Sequence, residues 1–320
     1  MKANILFINP SRRIELIEMF AGIGNIHIAC YDELDPCMIL FERARKIEKR
    51  INVDEILSIC SEWNIDLIVP WLEKDMIILN NQWEMFYENG IKMVCGTSEG
   101  TIKAFSKKEV NDELLKKNID HMAHYFSIND EFQYPIVIKP SIGSGSFGVK
   151  IVNNEDQLKA YYSPEKLLMK YYAGSEYTVD AFCCKGDAIV CLPRKRIKHR
   201  AGECLISKLE NRTELVVQTR KICKELNLDG PVNIQYIYDA DGESFVCTDI
   251  NPRFGGGVVL SIKAGVNFPK LCVDYYLNNS IDREDYEHIN WNLISSRWLK
   301  SEYTENIVER TIPNVDFSMM

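Results

Sequence analysis

A glycine-rich loop between two apolar runs is the first stretch of this chain that could do chemistry. Ser141-Ile-Gly-Ser-Gly-Ser-Phe-Gly148 has the spacing G-x-G-x-x-G. A dinucleotide fingerprint needs a helix after the last glycine and a Walker A loop needs a lysine there, whereas Val149-Lys-Ile-Val152 predicts a strand. We therefore predict a strand–loop–strand flap whose backbone N–H groups and serine hydroxyls bind phosphate, with Lys139 beside it. A surface hairpin without a ligand is the alternative interpretation.

A second group of polar side chains lies on a predicted hairpin around Asp241-Gly242, a strong turn signal. Asp249 and Asn251 are two residues apart and share one strand face. Gln235 lies opposite Asp249 if the loop holds an odd number of residues, whereas a two-residue turn sends it to the other face. Three oxygen ligands on one face are typical of magnesium. A polar edge hairpin with solvated side chains is the alternative.

The residues after this hairpin extend the predicted site. Arg253 faces the same side as Asn251 and could clamp a phosphate through its planar guanidinium. Gly255-Gly-Gly257 follows, and we expect it to let the backbone lie close to a bound ligand.

Composition limits the function classes. The 320 residues predict two or three domains, and the net charge of −8 disfavours a nucleic-acid binder. The eleven cysteines include no C-x-x-C pair, which argues against a metal cluster, and their odd number argues against a complete disulfide framework. No stretch has the length of a signal peptide or a membrane span, so we expect a cytoplasmic protein that does not bind membranes.

Alternating strand and helix patterns fill the first hundred residues. Strands are expected at 5–8, 26–30, 66–70 and 92–95, with helices at 13–21, 54–63 and 75–88 between them. This order predicts a parallel sheet with helices on both faces. The turn at 9–13 after the first strand has no glycine, so a dinucleotide pyrophosphate would lack its usual seat there.

Strands dominate the remainder of the chain. A helix at 107–117 precedes a strand at 135–140, the glycine loop, a returning strand at 149–152, a helix at 155–162 and a strand at 166–172. Further strands are expected at 177–183, 188–193, 232–238 and 244–250, with a helix at 214–226. The predicted units are an α/β domain at 1–103, a small lobe at 104–172, a large lobe at 173–285 and an unassigned extension at 286–320.

Together these two motifs resemble the ATP-grasp superfamily, and within it the carbamoyl-phosphate-synthetase-like carboxylate–amine ligases. The resemblance runs from the N-terminal domain to about residue 280. Tyr134-Pro-Ile-Val-Ile-Lys-Pro140 with the glycine loop is similar to the family's triphosphate flap. Asn233-Ile-Gln235 followed by Asp249-Ile-Asn-Pro-Arg253 is similar to its metal-binding hairpin. The implied fold is a pre-ATP-grasp α/β domain followed by a two-lobed ATP-grasp unit.

The resemblance also implies roles for individual residues. The implied ATP-binding set is Lys107, Lys139, Gly143, Ser144, Gly145, Ser146, Gly148, Met169, Lys170, Tyr171 and Glu176. Within it, Lys139 would contact the phosphates and adenine N7, the backbone of 168–171 the adenine edge, and Glu176 the ribose. Gln235, Asp249 and Asn251 would carry magnesium, with Mn²⁺ as an alternative. Lys139 and Arg253 would act in catalysis, and Arg194 and Arg196 would line the substrate pocket.

The implied activity is ATP-dependent formation of an acyl phosphate from a small carboxylate, followed by attack of an amine. Three positions depart from the family pattern: Asp249 replaces a glutamate, Ser106 an aspartate, and Met169 a polar residue that often meets the adenine amine. Two other functions therefore stay open. One is an enzyme that ends at an acyl or carbamoyl phosphate, and the other is a nucleotide-binding regulatory protein. A homodimer is also open.

Three other features receive less weight. The basic run 43–50 is expected to form a solvated helix face, and His199 a solvated basic loop. Glu73 or Asp75 follows the third strand, at an edge where α/β sheets place ligands, although helix capping explains Asp75 equally well.

Overall fold

The computed structural model describes residues 2–94, 96–119, 121–143, 147–200, 202–301 and 303. The predicted flap residues Ser144, Gly145 and Ser146 lie outside these ranges, as do residues 304–320 of the predicted extension.

The N-terminal part is a five-stranded parallel sheet with the order β3-β2-β1-β4-β5. Its strands are β1 (Ala3–Ile8), β2 (Gly24–Cys30), β3 (Ala44–Lys46), β4 (Leu67–Pro70) and β5 (Lys92–Met93). Its helices are α1 (Ile14–Ala21), α2 (Pro36–Leu40), α3 (Val53–Trp63), α4 (Glu73–Asn80) and α5 (Trp83–Glu88). The continuous apolar run of β1 is buried because helices cover both faces of the sheet. The predicted parallel α/β domain is confirmed.

Two local predictions for this domain were wrong. The single helix expected at 75–88 is two helices, because the polar run Asn80-Asn-Gln82 interrupts the apolar spacing. The run 43–50 is not a helix face, since Ala44–Lys46 forms the edge strand β3 and Ile47 is buried. Arg45 instead reaches across the surface to Glu62, at 2.6 Å.

A four-stranded antiparallel sheet with the order β6-β9-β7-β8 forms the small lobe. Its strands are β6 (Tyr125–Phe126), β7 (Ile136–Pro140), β8 (Lys150–Val152) and β9 (Lys166–Lys170). The helices of this part are α6 (Glu99–Ala104), α7 (Lys107–Lys116) and α8 (Glu155–Tyr161). Ile136 pairs with Val152 and Ile138 with Lys150, so the glycine loop joins two antiparallel strands. This confirms the predicted strand–loop–strand arrangement.

The large lobe contains a six-stranded antiparallel sheet with the order β14-β13-β10-β11-β12-β15. Its strands are β10 (Glu176–Cys184), β11 (Asp187–Arg200), β12 (Glu203–Leu209), β13 (Gly230–Asp239), β14 (Ser244–Asn251) and β15 (Ile294–Ser296). Its helices are α9 (Thr213–Glu225), α10 (Val258–Lys263), α11 (Phe268–Val273), a π-helix (Asp274–Asn278) and a 3₁₀-helix (Arg283–Asp285). His199 lies on β11, so the loop expected there was wrong. The predicted extension supplies the edge strand β15.

A shared apolar core fixes the N-terminal sheet against the large lobe. Phe20 and Trp71 from the first domain pack on Phe254, with ring centroids 6.0 and 6.5 Å away. Phe254 contacts Phe268 in turn, at 6.3 Å. Because Phe254 directly follows Arg253, this packing also sets where the end of the predicted metal hairpin lies. Within the described part of the chain, no helix has the length and apolarity to cross a membrane.

Candidate active site

The hairpin of β13 and β14 places Gln235 directly opposite Asp249, as predicted, but by a different route. Asp239 pairs with Ser244, so the loop holds four residues rather than an odd number. The register then shifts: Tyr236 pairs with Cys247 and Gln235 with Asp249, which leaves Thr248 as a β-bulge. The extra residue in β14 compensates for the even number of loop residues, so that Gln235 and Asp249 lie opposite each other on the same face.

A cavity of about 450 Å³ lies between the small and large lobes. Its lining includes most of the predicted ATP and metal residues, namely Lys107, Lys139, Gly143, Met169, Tyr171, Glu176, Gln235 and Asp249, together with the predicted substrate residue Arg196. Val137, Val149, Ile151 and Ile237 add apolar side chains suited to a flat base. Gly148, where the flap returns, has φ +76 and therefore needs the left-handed region that glycine enters freely.

Two lysines and one carboxylate lie beside the flap end of this cavity. Lys139 is 6% exposed and its Nζ donates to the carbonyl of Thr248 at 2.9 Å. Burial lowers the pKa of Lys139 to about 8, which nearby Asp249 opposes and Lys107 reinforces. Lys107 Nζ donates to Gly143 O at 2.6 Å and lies 3.4 Å from Asp249 Oδ1. The flap is thus joined to the hairpin through Lys107.

Glu176 and Arg196 also line this cavity, and they form an ion pair of 3.0 Å. A ribose bound by Glu176 would share that carboxylate with Arg196. Met169 is buried in the wall, and its apolar side chain fits the face of a base rather than a polar edge. Lys170 Nζ pairs with Asp239 at 3.2 Å and is not part of the lining, so any role of this residue falls to its backbone.

The predicted metal ligands all face cationic side chains. Asp249 meets Lys107, Gln235 Oε1 accepts from Arg196 at 3.5 Å, and Asn251 Oδ1 accepts from Arg253 at 3.2 Å. The described residues contain no group of three His, Cys, Asp or Glu side chains placed to hold a metal. One carboxylate and two amide oxygens fit magnesium that phosphates help to bind, rather than a site made by protein alone. Asn251 is buried and lines neither this cavity nor the next one.

A second cavity, of about 370 Å³, lies between the N-terminal domain and the large lobe. Arg196, Gly202 and Gln235 line both cavities, so the two spaces meet at the hairpin. Arg253 lines the second one, and its Nη2 donates to Glu73 at 2.9 Å. Glu73 therefore holds Arg253 in place rather than facing the cavity.

Arg194 also lines the second cavity, but its guanidinium already has a partner. Arg194 Nε donates to Asp180 at 2.8 Å, and both side chains are almost fully buried. Asn233 and Ser261 donate to the same carboxylate, at 2.9 and 2.8 Å. This network gives the predicted pocket-wall arginine a mainly structural position.

The triple glycine lines the second cavity and also lies against side chains of the protein. A Cβ at Gly257 would be 2.7 Å from Arg194 Cζ, and one at Gly256 would be 3.1 Å from Arg13 Nη2. The glycines therefore let two guanidinium groups lie close to the backbone beside the cavity, and the expected contact with a bound ligand stays a prediction.

Sequence reasoning missed three arginines of the second cavity: Arg12, Arg13 and Arg297. The position of Arg12 and Arg13 could have indicated them, because the turn at 9–13 follows a strand at the carboxyl edge of a parallel sheet, where ligands bind. The lack of glycine in this turn excluded a dinucleotide pyrophosphate but not another anion. Arg297 follows β15 in a stretch without periodicity, so the sequence did not indicate that it would line the cavity. Asp75 neither caps α4 nor lines this cavity; it accepts from Asn9 and Tyr31.

Three family models match parts of the chain, and two of them overlap at residues 162–182. A PylC-like N-terminal domain matches residues 5–94, and the ATP-binding domain of the carbamoyl-phosphate synthase L chain matches 101–182. An ATP-grasp model, described as acting in the biosynthetic pathway with the Ter operon, matches 162–296.

Individual proteins of known identity or structure are also similar to this chain. The carbamoyl phosphate synthase large chain of Clostridium acetobutylicum is 26% identical over 284 residues, which cover 77% of this chain and 25% of the relative. The chain therefore spans about a quarter of the length of that curated relative. The biotin carboxylase domain of 2-oxoglutarate carboxylase from Hydrogenobacter thermophilus, solved with MgADP and bicarbonate, shares the fold at 15% identity and TM-score 0.71, covering 92% of this chain and 74% of that one. The L-amino acid ligase of Bacillus licheniformis does so at 15% identity and TM-score 0.68, with 90% and 77% covered.

Proposed function

Because this chain belongs to the ATP-grasp superfamily, we propose that it phosphorylates a small carboxylate with ATP and couples the product to an amine. The observation that carries the proposal is the meeting of the two cavities at Gln235 and Arg196. A nucleotide in the first cavity would end beside an acid in the second. Such contact is what transfer between the two molecules requires.

In the proposed reaction Lys107 and Lys139 bind the triphosphate from two sides. Both amines lie at the flap end of the first cavity, where they would offset the charge of the transferred group. The link from Lys107 to Gly143 ties the flap to the nucleotide, so closure over the phosphates would exclude water. Exclusion of water protects an acyl phosphate from hydrolysis before the amine arrives.

Gln235, Asp249 and Asn251 would hold magnesium. When bound, the metal neutralises phosphate charge and polarises the oxygens that bridge to the transferred group. Each of these three side chains contacts a Lys or Arg in the structure, so a metal held by them would lie beside protein cations as well as phosphate. The Hydrogenobacter domain that shares this fold was solved with the magnesium salt of ADP, which supports the same pairing here.

Arg253 is the proposed anchor for the reacting carboxylate. One carboxylate oxygen forms a bond to the γ-phosphorus while the bond from that phosphorus to ADP breaks. The amine then attacks the acyl carbon and loses a proton, and phosphate leaves with the oxygen that came from the acid. Arg253 is held by Glu73 and by the carbonyl of Phe254, at 2.9 and 3.1 Å, so its position is set before substrate arrives.

An enzyme that stops at an acyl or carbamoyl phosphate is the second candidate, favoured by the likeness to carbamoyl phosphate synthase. The two differ in what releases inorganic phosphate. We would measure ADP and phosphate with pooled carboxylic acids, with pooled amino acids, and with both pools. Ligation predicts that rapid phosphate release needs an acid and an amine together. ADP formation with an acid alone, without free phosphate, would favour the second candidate, and ATP binding without any turnover would contradict both.

A further inference from the structure

The second cavity has far more positive than negative charge in its lining. Its charged lining residues are one glutamate, Glu203, and six arginines: Arg12, Arg13, Arg194, Arg196, Arg253 and Arg297. Three of these arginines each have an ion-pair partner outside the lining: Arg194 pairs with Asp180, Arg196 with Glu176 and Arg253 with Glu73.

The remaining three arginines share a single carboxylate. Glu203 lies 3.2 Å from Arg13, 3.8 Å from Arg12 and 4.0 Å from Arg297. The side chain of Arg12 is 64% exposed, so solvent screens much of its charge. Arg13 and Arg297 are 17% and 30% exposed and keep most of theirs. The single carboxylate of Glu203 therefore does not balance the positive charge at this end of the cavity.

Arg13 has hydrogen-bonding capacity that the described residues do not use. Its Nε and Nη1 are buried and have no hydrogen-bond partner among those residues, while Nη2 reaches Glu203. The guanidinium lies 5.3 Å from the centre of the Trp71 ring and flat against Gly256. Buried guanidinium groups are ordinarily paired, because desolvation without a partner is costly. An anionic ligand in the cavity that Arg13 lines would offset this incompletely paired charge.

The turn that presents Arg13 is held rigidly. Asn9 and Ser11 adopt φ values of 49 and 50, in the left-handed region that non-glycine residues enter at a cost. The Asn9 side chain donates to Asp75 at 2.6 Å and accepts from the Tyr31 backbone at 2.9 Å. Strained backbone that persists under such constraints is typical of functional turns.

We propose that the Arg13–Arg297 end of the second cavity binds a second anionic group of the acid substrate. The acid would then be a small molecule with two anionic groups, its reacting carboxylate at Arg253 and a second carboxylate or a phosphate at Arg13. The placement of the reacting carboxylate at Arg253 rests on the proposed function. Binding of an anion at Arg13 does not, because it requires no reaction. The planar guanidinium groups suit either anion through paired N–H donors.

The test uses probe pairs in which one member has a second anionic group and the other lacks it. Calorimetry on the full chain, with Mg²⁺ and a non-hydrolysable ATP analogue, would compare glutarate with glutaramate and phosphoglycolate with glycolate. We expect the member with the second anionic group to bind roughly tenfold or more tightly than its partner, the scale of one charge-assisted contact. Preference within the first or the second pair identifies a carboxylate or a phosphate as the second group.

Variants then assign that preference to the cavity. Arg13→Gln and Arg297→Gln are expected to remove most of it while leaving affinity for the ATP analogue unchanged. Arg45→Gln, the same change on the outer surface of the N-terminal domain, should keep it. Equal binding of both members of each pair by the wild-type chain would overturn the inference. Full preference in a folded Arg13→Gln variant would also overturn it. If Arg13→Gln does not fold, the same measurement on Arg297→Gln decides between the outcomes.

The two proposals can fail separately. Hydroxylamine traps an acyl phosphate as a hydroxamate, so ATP-dependent hydroxamate would show activation. Hydroxamate from monoanions as readily as from dianions would overturn the second subsite and leave ligation standing. Dianion binding that depends on Arg13, without any hydroxamate, would support the subsite and count against the proposed reaction.

Discussion

Gln235 lies opposite Asp249 across the β13–β14 hairpin because Thr248 is an extra residue in the β14 strand. The bulge has a second consequence, since the carbonyl of Thr248 accepts the hydrogen bond from Lys139 Nζ at 2.9 Å. One irregular residue thus sets the register of the proposed metal ligands and fixes the lysine that faces them. Bulges are common beside active sites for this reason.

Changing the charge of this pair should alter magnesium binding in opposite directions. Asp249→Asn removes the carboxylate from the proposed ligand set and is expected to weaken Mg²⁺-dependent ATP binding by roughly tenfold or more. Gln235→Glu adds a second carboxylate at the opposite position and should strengthen it. Titration of Mg²⁺ at fixed ATP measures both. Unchanged midpoints in the two variants would contradict the metal assignment.

Nucleotide affinity should fall as pH rises through about 8, because burial places the pKa of Lys139 near that value. Below that pH the amine is charged and attracts phosphate. Above it, binding requires proton uptake, so the dissociation constant should rise by up to about tenfold per pH unit. ADP binding measured in EDTA between pH 7 and 9.5 keeps metal ions from shifting the pKa. Lys139→Arg should give a flat profile, and a flat wild-type profile would refute the prediction.

Arg253 and Glu73 should be energetically coupled. Their side chains are 13% and 9% exposed, so removal of one leaves the other charge largely buried. Arg253→Ala is expected to lower the free energy of unfolding by about 3 kcal/mol, and the double variant with Glu73→Ala by less than the sum of the two single changes. Urea unfolding of the four proteins measures the coupling. Strict additivity would show that the pair does not hold Arg253.

Gly257→Ala should destabilise the chain through Arg194. The new Cβ would lie 2.7 Å from Arg194 Cζ, and Asp180 prevents that guanidinium from moving away. The expected loss is about 1–3 kcal/mol, typical of an overpacked core. Gly22→Ala is the matched control, because its Cβ would meet only Met19 O, at 3.6 Å. Equal thermal midpoints for both variants would contradict this account.

The sequence was most informative where one local pattern had one structural solution. The apolar run at 5–8 predicted a buried strand, the β-branched run at 149–152 distinguished the flap from a dinucleotide fingerprint, and Val149 in place of a lysine distinguished it from a Walker loop. The pairing of Gln235 with Asp249 was also predicted, but a four-residue loop with a bulge achieves it, and loop length and bulge compensate without leaving a sequence signature. Arg13 and Arg297 come together only in the folded chain, since one follows β1 and the other the edge strand β15.

The most direct test of the proposed reaction follows the oxygen atoms of the acid. An acid that binds the second cavity would be labelled with ¹⁸O in its carboxylate and incubated with the enzyme, Mg²⁺, ATP and an amine. Activation as an acyl phosphate predicts that each phosphate released carries one ¹⁸O from the acid, and that Asp249→Asn slows its appearance. Phosphate free of ¹⁸O, released while ATP is consumed and product forms, would contradict the account.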